Sequence, residues 1–143
     1  MRITAAVVFV AVSLGGCSDA TSSEPIDVSG LWAYTEATGV ASIGFSCSNS
    51  GTLVVAQQGR TLTGTYSHQG NCTVGSTVVD NSGSGLIVSG EVDGGTVRLE
   101  HGDCSYTGTI SGPLANRLYG TMSCAVVVDD QQHTATGSWE ALR

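Results

Sequence analysis

Five cysteines and three histidines carry most of the reactive chemistry in this chain of 143 residues. Thiols form disulfide bonds, bind metal ions or carry acyl chains, and imidazole nitrogens bind metal ions or move protons. Cys17 stands apart because it directly follows an apolar N-terminal segment. The other candidates are spread along the rest of the chain, at Cys47, Cys72, Cys104, Cys124, His68, His101 and His133. Cys17 is a candidate for acylation, and the other residues are candidates for disulfide bonds or metal binding.

Cys17 follows a segment with the features of a secretion signal. Arg2 precedes an apolar run of about a dozen residues, which is shorter than the roughly 20 that a membrane-spanning helix needs. Leu14-Gly15-Gly16-Cys17 resembles the lipobox of bacterial lipoproteins. The resemblance implies cleavage before Cys17, acylation of Cys17 and membrane lipid as a partner, because two or three acyl chains anchor a protein stably. The alternative is an ordinary secreted protein in which Cys17 is a free or bridged thiol.

The chain divides into three segments. Residues 1–16 are the expected signal peptide, residues 17–27 an acylated cysteine with a short polar tether, and residues 28–143 a single domain. By analogy with enteric lipoproteins, Ser18 next to the acylated cysteine favours the outer membrane. We therefore expect a lipid-anchored protein of the bacterial cell envelope, on the periplasmic or the surface face.

The charge balance excludes one class of partner. The chain has no lysine, and its five arginines oppose twelve acidic residues. Nucleic-acid binding needs a basic surface that displaces counterions, so no nucleic-acid partner is expected. The excess of Gly, Thr, Ser and Val, with two prolines and no helical periodicity, indicates an all-β domain.

Two turns predict the pairing of four cysteines. The Gly59-Arg60 loop suits a type II′ hairpin, which prefers glycine at its first central position. A second hairpin turns at Pro113-Leu114-Ala115. The two registers place cysteines opposite each other as Cys47 with Cys72 and Cys104 with Cys124.

An oxidising compartment favours disulfide bonds in these two pairs, although sequence alone allows three connectivities. Each bond would close a loop of some 20 to 26 residues and stabilise the fold by roughly 3 kcal/mol. The rival interpretation is a four-thiolate metal site, but the cysteines lack the close CxxC spacing of such sites.

Regularly spaced short strands predict a single up-and-down antiparallel meander barrel of about eight strands. An even number lets the last strand close antiparallel onto the first. Residues 41–46 are either an extra strand or an extension, and residues 67–85 read as a long loop because they are rich in Gly, Ser and Asn. The expected strands are 28–36, 51–58, 61–68, 85–92, 96–101, 104–112, 116–128 and 133–142.

Strand motifs resemble lipocalins and avidins, which are eight-stranded meander barrels of the calycin type. Gly30-Leu31-Trp32 looks like the G-x-W of lipocalins, and Leu62-Thr63-Gly64-Thr65-Tyr66 is similar to a streptavidin strand. The resemblance implies a small ligand inside the barrel and closure of one end by Trp32, Trp139 and Arg143. Biotin binding is not carried over, because avidins use several tryptophans and this chain has two.

The three histidines are expected at the opposite rim, on the inward face of their strands. His68, His101 and His133 could bind Zn²⁺ or Cu²⁺ there, with Asp103 or Asp129 as further ligands. The favoured interpretation is a solvated rim, since the residues belong to three separate strands. No metal or other cofactor is therefore predicted.

Catalysis has no support in the sequence. No nucleophile elbow, zinc-protease motif or phosphate-binding loop is present, and we expect no enzyme. Two functions remain. The first is a lipocalin-like barrel that binds a small apolar ligand, and the second is a solid barrel that serves as a structural or protein-interaction module of the envelope.

Overall fold

Alternating inward and outward residues give the domain its strands. The computed structural model describes residues 24–143, so the predicted signal peptide, Cys17 and most of the tether lie outside the described residues. Along β1 (Gly30–Val40), for example, Trp32, Tyr34 and Glu36 are buried while their neighbours are exposed, as expected of a strand with one face on a core. The domain is all-β, as predicted.

Nine strands form one antiparallel sheet, interrupted only by short 3-10 turns at Ala41–Ile43 and Pro113–Ala115. Neither turn is long or apolar enough to cross a membrane. After β1, the strands are β2 (Phe45–Gln58), β3 (Thr61–Val74), β4 (Thr77–Asp80), β5 (Gly83–Asp93), β6 (Thr96–His101), β7 (Cys104–Ser111), β8 (Arg117–Val128) and β9 (Gln131–Leu142).

Eight of these strands close into an up-and-down barrel. The order along the sheet is β2-β1-β9-β8-β7-β6-β5-β3-β4, and an additional pairing of β2 with β3 closes the ring. β4 pairs only with β3 and lies outside the ring. We call the end where β1 begins the closed end, and the end where β1 finishes and β2 begins the mouth.

The predicted turns set the register of the hairpins. Gly59 has φ of 59°, the left-handed region that a type II′ turn requires at this position. The β8–β9 turn has positive φ at both Asp129 and Asp130, which is the type I′ pattern. The predicted registers are confirmed, with Leu53 opposite Tyr66, Cys47 opposite Cys72, Ile110 opposite Leu118 and Cys104 opposite Cys124.

The predicted loop over residues 67–85 was wrong. β3 runs on to Val74, turns through Gly75, and returns as β4, and β5 starts at Gly83. The Gly, Ser and Asn content that suggested a loop is tolerated because each strand here has a paired neighbour for its backbone hydrogen bonds. Residues 41–46 combine the 3-10 turn with the start of β2, which is therefore longer than predicted.

Candidate functional site

Arg143 and Trp32 cover the closed end of the barrel. Trp32 is fully buried, and the Arg143 guanidinium lies 4.6 Å from the centroid of its ring, a cation–π contact. Arg143 also donates hydrogen bonds to the backbone carbonyls of Ser29, Asp27 and Leu114, at 2.6, 3.0 and 3.1 Å. One side chain therefore ties the start and the end of the domain to the β7–β8 turn.

Trp139 does not take part in this contact. Its indole nitrogen donates to the carbonyl oxygen of Thr107 at 3.3 Å, and its ring meets Tyr106 edge to face at 5.6 Å. It also packs against the face of Gly108. Trp139 belongs to the same apolar core cluster as Trp32, but it is level with Glu36, further along β1 than Trp32.

The barrel interior divides into a filled part and an open part. Towards the closed end it is filled by apolar side chains such as Trp32, Leu62 and Val97. Towards the mouth it holds a partly open cavity of about 340 Å³, at the lower end of the roughly 300–1,000 Å³ typical of ligand sites. Its walls include Glu36, Asn49, Tyr66, His68, His101 and Tyr106. We call this space the mouth cavity.

A buried carboxylate lies in the wall of the mouth cavity. Glu36 is only 7% exposed. One of its oxygens accepts a hydrogen bond from the amide of Asn49 and the other from the hydroxyl of Tyr106, each at 2.8 Å. The amide of Asn81 donates in turn to the side-chain oxygen of Asn49 at 3.2 Å. Burial, with the Glu36 charge as a second cause, raises the pKa of Tyr106, so its hydroxyl remains a donor at neutral pH.

Four rings are stacked beside this carboxylate. His101, 3% exposed, lies between Tyr66 and Tyr106, with ring centroids 4.0 and 4.5 Å away. His68 stacks on the other side of Tyr66 at 5.7 Å, and its Nδ1 lies 3.3 Å from the hydroxyl of Tyr34. Burial, with a smaller contribution from His68, lowers the pKa of His101 to about 4. The His101 imidazole is therefore neutral at physiological pH.

The three histidines do not come together. His68 and His101 join the stack through Tyr66, whereas His133 lies on β9 opposite Val126 of β8 and is not part of the stack. His68 is also not at a strand end, because β3 continues to Val74. Within residues 24–143, no three His, Cys, Asp or Glu side chains form a cluster that could hold a metal ion.

Two disulfide bonds line the mouth cavity. They join the cysteine pairs that the hairpin registers predict, Cys47 with Cys72 and Cys104 with Cys124. Each bond links directly opposite positions on neighbouring strands. All four cysteines belong to the cavity wall, so the bonds hold that wall in a fixed shape.

A larger depression of about 640 Å³ lies on the outside of the barrel, over β1, β2 and β3. Small residues, among them Gly51, Thr52 and Ser67, form much of its lining. Glu140 at its edge is half exposed and already paired with Arg117 at 2.8 Å. The mouth cavity is the better candidate site because it holds buried charged and polar side chains.

The polar network of the mouth cavity was missed from sequence. Glu36 alternates in phase with Trp32 and Tyr34, so the strand pattern could have predicted that its side chain faces inward. Asn49 lay outside the predicted second strand, and Asn81 lay in the predicted loop. Neither residue had a local pattern that placed it beside Glu36. Three other strand acids, Glu91, Glu100 and Glu140, face outward because they alternate with buried neighbours.

Comparisons with protein-family models, with curated proteins and with solved structures find no match to this chain. The resemblance to lipocalins and avidins therefore stays a prediction from strand motifs, beside a barrel whose closure and strand order are observed.

Proposed function

We propose that this chain is a lipid-anchored protein of the bacterial cell envelope whose barrel binds a small ligand in the mouth cavity. The observation that carries the proposal is the polar wall of that cavity, with Glu36 and His101 both buried. Burying a carboxylate costs several kcal/mol even after relaxation. Apolar side chains would fill this part of a narrow barrel at lower cost, so a binding role explains why polar ones are present.

The position of the tether fits this role. β1 begins at the closed end, and residues 24–29 lead into it from that side. A fully extended tether over residues 17–27 reaches at most about 40 Å. With acyl chains on Cys17, the closed end would be the end nearest the membrane, here proposed to be the outer membrane. The mouth would then be free to face away from the lipid and take up a ligand.

Native mass spectrometry of the gently purified full chain tests the binding role. We expect a small molecule to co-purify and to be released on unfolding. Thr38→Phe adds a ring to the cavity wall and should abolish the bound mass. Thr134→Phe, on the exposed outer face of β9, is the matched control and should retain it. Retention of the bound mass in both variants would place the ligand elsewhere and contradict the proposal.

Analysis of the mature N-terminus tests the anchor. We expect an N-terminal peptide that starts at Cys17 and carries two or three acyl chains. Cys17→Ser should leave the protein in the soluble envelope fraction. An unmodified Cys17, or unchanged membrane association in Cys17→Ser, would contradict lipid anchoring and favour the secreted alternative.

One surface feature supports a second candidate, a protein-interaction module of the envelope. Leu31 and Val54 are opposite each other on the outer face, and Thr65 connects Val54 to Leu86 on β5. Leu31, Leu86 and Val88 are 64%, 66% and 70% exposed, and exposed apolar rows of this kind mark contact sites. A co-purifying protein that is lost with Leu86→Lys and retained with Thr38→Phe would favour this function.

A further inference from the structure

The Glu36 carboxylate is a buried charge whose protein partners are both neutral. Asn49 and Tyr106 each donate one hydrogen bond to it. Among the ion pairs of residues 24–143, none includes Glu36, because the three pairs found are Arg60 with Glu91 and Asp93, and Arg117 with Glu140. Each carboxylate oxygen can accept more than one hydrogen bond. Glu36 therefore has both the charge and the acceptor capacity to bind a cation.

A second unpaired group lines the same cavity. In the described part of the chain, no hydrogen bond reaches the ring of His101, although it is 97% buried. Every fully inaccessible side-chain nitrogen or oxygen of these residues has a partner, so the ring nitrogens of His101, a residue of the mouth-cavity wall, keep a small accessible surface. A neutral imidazole has one acceptor nitrogen. The cavity thus offers acceptors from Glu36 and His101 to a ligand that carries N–H donors.

The charges of the domain are distributed unequally between its two ends. The described arginines lie in the half towards the closed end, since Arg60 and Arg117 flank its turns, Arg143 covers it, and Arg98 is near the start of β6. Acidic residues of the same half, Asp27, Glu91, Asp93 and Glu140, offset these arginines. The turns and strand ends of the mouth carry Asp80, Asp103, Asp129 and Asp130, and none of the described arginines is there to offset them. This field raises the local concentration of cations at the mouth and repels anions.

We propose that the ligand of the mouth cavity is a free, small organic amine whose primary ammonium group binds the Glu36 carboxylate and donates a further hydrogen bond to His101. This inference rests on the proposed binding function and adds the chemical class of the ligand. A primary ammonium has three donors, which suits a site built from acceptors. Both faces of His101 and both faces of Tyr66 are already covered by stacked rings, so N–H donation and charge pairing are the recognition chemistry at these residues.

Isothermal titration of the full-length oxidised protein with three phenyl-bearing probes of similar size tests the class of ligand. The probes are 2-phenylethylamine, 2-phenylethanol and 3-phenylpropionate. We expect the amine to bind at least ten-fold more tightly than the alcohol, and the carboxylate not to bind. Equal or tighter binding of the alcohol or the carboxylate would overturn the cation inference and leave the proposed small-ligand function standing. Absence of amine binding would also overturn it, and native mass spectrometry would then decide the binding function separately.

Matched variants locate the amine. Glu36→Gln removes the charge and should weaken binding of 2-phenylethylamine by about thirty-fold or more, since breaking a buried charge pair costs that much. Glu100→Gln removes an outward-facing charge one residue from His101 and should change the affinity less than two-fold. Equal effects of the two variants would overturn the proposal. The wild-type preference for the amine over the alcohol needs no variant, so the test holds even where Glu36→Gln folds poorly.

A competition experiment separates two sources of a primary ammonium group. Dihexanoyl phosphatidylethanolamine carries the same group as part of a lipid headgroup. We expect it to displace isotopically labelled 2-phenylethylamine at least ten-fold less well than the unlabelled amine does, because the mouth cavity is partly enclosed and about 340 Å³ in volume. Equal competition would assign the site to a lipid headgroup and overturn the free amine.

Discussion

At the scale of single residues, the interior of the mouth depends on a buried neutral imidazole. His101 stacks between Tyr66 and Tyr106, and Tyr106 links the stack to Glu36 through its hydroxyl. The free energy of unfolding therefore depends on the protonation state of a group that has almost no access to water. At the closed end, by contrast, the stabilising group is exposed and charged, because the Arg143 guanidinium donates hydrogen bonds to three backbone carbonyls.

The His101 ring predicts a pH dependence of stability. Its pKa is about 4 in the folded protein and about 6.5 in an unfolded chain. Between these values the unfolded state binds a proton that the folded state does not, so stability falls as pH drops from about 6.5 to about 4 and then levels off. The loss is on the order of 2 to 3 kcal/mol.

Urea unfolding between pH 7.5 and pH 4 measures this effect. His101→Phe keeps an aromatic ring in the stack but cannot take up a proton, so its stability should fall less steeply over the window. Above about pH 7.5 the difference between the two proteins should be constant. Identical slopes for the wild type and His101→Phe between pH 6.5 and pH 4 would show that the imidazole is not the group responsible.

Arg143 predicts a large effect for an exposed side chain. Arg143→Ala removes three hydrogen bonds to backbone carbonyls and the contact with Trp32, and should lower the free energy of unfolding by about 1–3 kcal/mol. Arg98→Ala is the matched control, because Arg98 is exposed on β6 and forms no ion pair within residues 24–143. Its effect should stay below about 0.5 kcal/mol, and an equal loss in both variants would argue against closure by Arg143.

At the scale of elements, hairpins determine where the side chains face. Short turns with the right backbone preferences set the register, and the register of each hairpin decides which side chains enter the barrel. This information is local, so it was readable from sequence. The extended β3–β4 hairpin could not be predicted in this way. Its segment is rich in Gly, Ser and Asn, which have no strand preference of their own, and strand pairing stabilises it.

The two disulfide bonds give a direct test of these registers. Peptide mapping of the unreduced protein should recover Cys47 with Cys72 and Cys104 with Cys124, and any other pairing would contradict the strand order. Replacing both Cys104 and Cys124 with Ala should lower the free energy of unfolding by about 3 kcal/mol, because the bond closes a loop of 20 residues.

Gly108 on β7 leaves room for the ring of Trp139 from β9. A Cβ atom on Gly108 would lie 2.6 Å from Cζ2 of Trp139 and 3.0 Å from the carbonyl oxygen of Tyr119, so Gly108→Ala should displace the ring and cost about 1–3 kcal/mol. Gly95→Ala, where a Cβ would meet nothing within 4 Å, is the control and should be neutral. Calorimetric unfolding of both variants measures these effects. If Gly108→Ala were more stable than Gly95→Ala, the packing of Trp139 against Gly108 would be contradicted.

At the scale of the whole molecule, the two ends of the barrel differ in packing and in charge. The closed end is apolar inside and carries the arginines outside, whereas the mouth holds a cavity, two disulfide bonds and an acidic rim. The barrel class followed from strand spacing and from an even strand count. The site followed only in part. Glu36 obeys the alternation rule, but its partner Tyr106 is 70 residues away in sequence, and its partner Asn49 lay outside the predicted second strand.

A crystal structure of the full-length oxidised protein grown with 2-phenylethylamine tests the central claim most directly. The account predicts one amine in the mouth cavity, with its nitrogen about 2.8 Å from a Glu36 carboxylate oxygen. It also predicts that the Tyr66, His101 and Tyr106 stack keeps its present arrangement. An empty mouth cavity, or an amine bound on the outer face over β1, β2 and β3 instead, would contradict it.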